Sequence, residues 1–165
     1  MPIYRFHLDV AVPCQIVAKR LRAVVGDEPP FWKSLFTGWR SKDAGSPPFI
    51  GTVYDDSFRV RRDIRYRNSF VPLVWGRFLS TPTGTRVNVI MFIHPLTALF
   101  MVFWLGTVGH IALRGASDSP IVWGMFAFGV GLTVWGFAPE AIKAKRLLSE
   151  AVQDATADSV QQYAQ

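Results

Sequence analysis

The chain has 165 residues, 50% hydrophobic and only 18% charged, with 13 Phe and 6 Trp. Soluble proteins carry about a quarter charged residues, so this composition excludes a disordered chain and argues against an ordinary soluble enzyme. The balance of 18 Lys and Arg over 12 Asp and Glu is basic and suits anionic partners.

A single cysteine, Cys14, excludes an internal disulfide and a multi-cysteine metal cluster. It reads as a small helix residue with no acid–base partner nearby. The first ten residues show no charged stretch followed by an apolar run, so no secretory signal is expected.

Tyr4, Phe6, Leu8 and Val10 alternate with Arg5, His7 and Asp9, the period of a strand with one buried face. Pro13 opens a predicted helix in which Ile16, Val17, Leu21, Val24 and Val25 form the apolar stripe, and Gly26 is its expected C-terminal cap. After Asp27-Glu28-Pro29-Pro30 come Phe31, Trp32, Leu35, Phe36 and Trp39, again at helical spacing. Two readings stand side by side for this segment. It is an interfacial helix that lays aromatic rings among lipid headgroups, or a helix packed on the sheet of its own domain.

From Phe49 to Ile93 the pattern predicts an antiparallel β-meander with strands at 49–54, 58–67, 73–79 and 85–93. Asp55 and Asp56 fit a hairpin turn better than a metal site. On the second strand Arg59, Arg61, Arg65 and Arg67 fall on one face and Phe58, Val60, Ile64 and Tyr66 on the other. Alternate residues lie roughly 6.6 Å apart along a strand, so the arginines form a ladder that suits anionic lipid, an acidic partner surface or a soluble anion. The same charges also serve simply to solvate the strand and block edge pairing.

Pro95–Leu113 and Pro120–Ala138 are stretches of 19 residues without a formal charge. A helix needs roughly 20 residues to cross the hydrocarbon core, so both are predicted spans of a transmembrane helical hairpin. Arg114 is basic at the connecting turn, against Arg77, Arg86, Lys143, Lys145 and Arg146 on the other flanks. That asymmetry places both termini in the cytoplasm, at the inner membrane of a bacterium-like cell. Trp123 and Trp135 sit near opposite ends of the second span, at expected interface depths. His110 is an intramembrane ionisable residue, and Ala127 and Gly131 form a small-xxx-small pair for helix packing. After Pro139, Ala144, Leu147, Leu148, Ala151, Val152 and Ala155 predict a separate amphipathic helix.

The expected organisation is an α+β cytosolic domain over residues 1–93, a two-helix membrane hairpin over 94–138, and an amphipathic helix and tail over 139–165. No catalytic constellation, metal-ligand spacing or cofactor motif stands in the sequence, and no nucleic-acid partner is expected. The leading expectation is a non-enzymatic accessory or assembly subunit that docks partner protein at the cytosolic membrane surface. The alternatives are a homo-oligomeric channel or membrane-permeabilising effector gated by an anionic ligand, and a lipid-headgroup-binding protein. Expected partners are anionic membrane lipids and other subunits or copies of the chain.

Overall fold

The computed structural model describes residues 3–27, 46–64, 66, 68–114 and 119–163, with backbone alone beyond Gln153. The aromatic segment Phe31, Trp32, Leu35, Phe36 and Trp39, like Arg65 and Arg67, lies outside the described residues. The architecture is α+β: a six-stranded mixed sheet, then helices, two of them long and apolar.

In chain order the elements are β1 (Ile3–Val10), α1 (Cys14–Ala23), β2 (Val25–Gly26), β3 (Phe49–Val53), β4 (Ser57–Arg62), β5 (Leu73–Thr81), β6 (Gly84–Phe92), α2 (Pro95–Arg114) and α3 (Pro120–Tyr163). The sheet order is β1-β6-β5-β4-β3-β2. The meander from β3 to β6 is antiparallel as expected. It is extended at one edge by β1, antiparallel to β6, and at the other by β2, parallel to β3. Gly26 is therefore a strand residue, not the helix cap, and Val24 closes α1.

Strand alternation puts one face of the sheet inside. Phe58 and Val60 of β4, Val74 and Phe78 of β5, and Val87, Val89 and Met91 of β6 are buried. Val17, Ala18 and Leu21 of α1 cover part of this face, and Ala141, Ala144, Leu148 and Val152 of α3 cover more of it. Gly84 begins β6 at φ 144°, and a Cβ there would run into the Val10 carbonyl, so the tight β5–β6 turn requires glycine.

Two expected boundaries fall elsewhere. The second meander strand stops at Arg62 rather than Arg67, because its partner β5 begins only opposite Arg61. With no ladder beyond that point, the Asp63 N–H donates instead to the Pro48 carbonyl at 3.0 Å. The expected tail helix is present but not separate. α3 runs unbroken for 44 residues, about 66 Å at 1.5 Å per residue, with Pro139 inside it. Proline there removes the bond to the Trp135 carbonyl but does not end the helix, since packing beyond it holds the chain.

Both α2 and α3 are long and apolar enough to cross a membrane by length and composition, and only 22% and 17% of their most apolar windows are buried. They touch at glycine. A Cβ on Gly129 would stand 2.9 Å from Leu105, and one on Gly109 would stand 3.3 Å from the Phe126 ring.

Gly76 of β5 lies under the Phe58 ring, where a Cβ would enter the ring itself. Gly76→Ala is expected to cost about 1–3 kcal/mol through overpacking, with Phe58→Leu recovering part of it. Thermal unfolding of the single and double variants in detergent checks this.

Candidate functional site

The outward face of the sheet gathers charge and aromatic surface from four strands. Register places Arg59 opposite Trp75, Trp75 opposite Ile90, and Ile90 opposite Arg5. Side chains directly opposite on one face lie about 4.5–5.5 Å apart at Cβ, so these four form a continuous row. The Arg59 guanidinium stacks over the Trp75 ring at 4.7 Å, and Phe92 meets the same ring edge-on at 4.9 Å. Arg77 stands one row away, between Ser57 and Asn88. Trp75 is 45% exposed, and Ile3, Leu79 and Ile90 are also exposed on this face.

Of the expected ladder, the structure places Arg59 and Arg61 on this outward face, with Arg61 half-buried. Arg5 and Arg77 join Arg59 instead, through the register of strands distant in sequence. Arg86 also points outward but is held by Asp9 at 2.7 and 3.2 Å, which keeps the Asp9 carboxyl below its usual range. Among the described residues no carboxylate pairs with Arg5, Arg59 or Arg77.

A second constellation locks this sheet to α3. Arg62 points to the inner face, one residue out of phase with Arg61, and pairs with Glu140. The Tyr66 hydroxyl donates to the same carboxylate. Glu140 is 3% exposed, directly after Pro139, with Lys143 Nζ 3.8 Å away. The Arg62 Nε is buried without an acceptor among the described residues. Asn68 supports the junction by donating to the Gly136 carbonyl at 3.1 Å. Composition gave no sign of this clamp, but the phase of Arg62, on the apolar side of an otherwise alternating strand, was a signal that could have found it.

The other expected site residues stand apart. His94 accepts from the Leu96 N–H at 3.3 Å and caps α2, with Pro95 at its first position. His110 is exposed on α2, away from the sheet and the clamp. Trp123 is exposed and meets Phe126 edge-on at 6.2 Å, and Trp135 is 82% exposed. Ala127 is exposed and Gly131 has nothing within 4 Å of a Cβ position. The close approach to α2 is made by Gly129, two residues after Ala127 and so turned off the Ala127–Gly131 line. Cys14 is a free thiol whose pKa is raised, chiefly by burial and then by Asp56 and Asp55. Asp55 accepts from Arg22 at 2.5 Å and Asp56 from Ser57 at 2.7 Å, as turn residues. No group of metal-ligating side chains occurs among the described residues.

No family model and no curated protein matches the chain. Among solved structures, protein CV1439 from Chromobacterium violaceum is 10% identical, with 59% of this chain and 87% of that chain covered and a TM-score of 0.32. Protein NE0264 from Nitrosomonas europaea is 13% identical, with 92% and 94% covered and a TM-score of 0.34. The di-domain ARO/CYC BexL from the BE-7585A biosynthetic pathway is 11% identical, with 93% and 49% covered and a TM-score of 0.36. At these values the likenesses carry no argument about fold or function.

Removing one member of the clamp leaves a buried charge unpaired. Glu140→Ala is expected to cost about 3–5 kcal/mol, while Arg62→Met with Glu140→Leu restores most of it, read by thermal unfolding. The hydrogen bond to Glu140 raises the Tyr66 pKa above its ordinary value. The folded state therefore holds that proton more tightly, and the stability it brings is full below about pH 10 and fades as pH climbs through the raised value. An alkaline absorbance titration should show one phenol titrating late, returning toward the ordinary range in Glu140→Gln.

Proposed function

We propose that the chain is a two-span membrane protein whose sheet lies on the cytosolic side and docks an acidic partner protein on its outward face, as an accessory or assembly subunit. The observation that carries the membrane half is exposure. Helices apolar on every side with only 22% and 17% of their most apolar windows buried need a hydrocarbon solvent, because water-soluble chains rarely leave such continuous apolar surface open. The charge asymmetry at the helix ends supports cytoplasmic termini. Trp135, exposed one turn before Pro139, suits the headgroup level at the end of the second span.

The docking half rests on the row Arg5–Ile90–Trp75–Arg59. Tryptophan and arginine are the residues that dominate protein interfaces, and here an aromatic anchor stands with Arg5, Arg59 and Arg77, which pair with no carboxylate among the described residues. Such a patch recruits acidic side chains by charge and then buries the Trp75 ring.

Topology is tested in a Cys14→Ser background. Ser119→Cys should label with an impermeant maleimide from outside intact cells, and Ser80→Cys, near the end of β5, only after the membrane is opened; the reverse pattern overturns the orientation. For docking, protein purified from native membranes is expected to carry a stoichiometric partner. Trp75→Ala should weaken it by about 2 kcal/mol or more, and Arg59→Glu with Arg77→Glu should abolish it below 0.15 M salt. Equal recovery with every variant overturns the docking face, and variants that lose only anionic lipid move the face to headgroup binding.

A further inference from the structure

Where the Asn68–Pro72 turn meets α2 and α3, the seam between the two helices is open along one side. A cavity of about 770 Å³ lies there, lined by Ser69, Phe70, Thr97, Phe100, Phe103 and Leu132 among others. A second cavity of about 170 Å³ continues from it and shares Phe100, Met101 and Leu132, with Trp104, Phe128 and Gly129 completing its wall. The larger volume falls within the roughly 300–1,000 Å³ of small-molecule sites.

Polarity along this trough is graded. Its hydroxyl-bearing lining residues, Ser69 and Thr97, sit together at one end, where the Thr97 hydroxyl donates to the Ser69 carbonyl at 3.1 Å. Beyond Thr97 the α2 wall is apolar through Phe103, about 9 Å along the helix. The roof is fixed before anything binds. The Phe70 N–H donates to Asn68 Oδ1 at 2.9 Å, Asn68 holds the Gly136 carbonyl at 3.1 Å, and a Cβ on Gly136 would stand 2.6 Å from the Phe70 ring. The trough is thus preformed, and a ligand pays little ordering cost to enter it.

We infer that this trough holds one acyl chain of a membrane glycerophospholipid, whose polar head emerges at Ser69 and Thr97. The occupant follows from the gradient and the roof. Hydroxyl and carbonyl groups at the first turn of α2 suit an ester and headgroup, and the apolar depth suits methylenes. A rigid helix from a second copy would have to run past the Ser69–Phe70 turn at that end, whereas a flexible headgroup only bends around it. The inference rests on the two-span reading and adds to it a lipid held by the protein rather than merely surrounding it.

Resistance to alkaline carbonate extraction tests the two-span reading first and separately; release of the chain overturns that reading and the lipid site with it. The full chain is then reconstituted with palmitoyl-oleoyl phosphatidylglycerol, extracted in mild detergent and weighed by native mass spectrometry. One lipid per chain is expected. Leu132→Trp, which fills the trough, should lower retention at least tenfold, and Val134→Trp, on an exposed position outside the lining, should leave it unchanged. Leu99→Trp, on the exposed rim, keeps the test open if Leu132→Trp disturbs the seam. No retained lipid in the wild type, or equal retention in all variants, overturns the inference. So does a lipid-free dimer that Leu132→Trp separates, which would make the seam a contact between copies.

Discussion

The structure turns on one carboxylate. Glu140 sits where α3 changes from apolar on all sides to apolar on one, and it is buried against Arg62 at the end of β4 and Tyr66 beyond it. Two charges taken out of water gain little net stability, so the value of the pair is in position. A hydrophobic contact tolerates sliding, whereas a guanidinium and a phenol converging on one carboxylate admit one register of helix on sheet. With that register set, Ala141, Ala144, Leu148 and Val152 meet the inner face of the sheet, and Gly136 meets Phe70. The turn that roofs the trough between α2 and α3 and the helix that covers the sheet core are thus held by the same junction.

That arrangement divides labour between the two faces of the sheet. The inner face is spent on cohesion, with α1 and α3 filling it. The outer face is free of covering helices among the described residues, and it presents cations beside an aromatic ring. Lys145 shows how the boundary between them is tied: its ammonium reaches the Tyr4 hydroxyl at 2.9 Å and lies over the Tyr4 and Phe6 rings at 5.4 and 5.3 Å. This fastens the edge strand β1 to α3 at the side where α2 departs.

Periodicity made β1, α1, the meander and both apolar helices legible, because each depends on neighbours two to four residues apart. What the sequence concealed depends on pairing between distant segments. Arg59 and Arg61 share a face by local alternation, but nothing local brings Arg5 and Arg77 beside them; only the register through β5 and β6 does. Proline misled at residue 139, since its usual effect is to break a helix and here burial of the following turns outweighs the lost hydrogen bond. Arg62 stands out of phase with the arginines beside it, a position that becomes meaningful only with Glu140 opposite. The small-residue pair Ala127 and Gly131 and the contact residue Gly129 lie on the same helix, and composition alone does not say which side meets α2.

The placement of β1 has a consequence for how the chain is made. β1 precedes the other strands of the sheet, yet it pairs only with β6, Ile3 standing opposite Phe92, and the sheet's inner face is closed by Leu148 and Val152 of α3, after both apolar stretches. Sequence-distant pairing of this kind is slow, since loop closure precedes any reward from contact. A ribosome releasing the chain therefore delivers both apolar helices before the sheet has its cover. The sheet waits, half-wrapped, for the later turns of α3 to emerge, so maturation of the polar half is paced by the fate of the apolar half. A nascent chain arrested before α3 would expose the core of the sheet and become a substrate for chaperones or proteases rather than a shorter working protein.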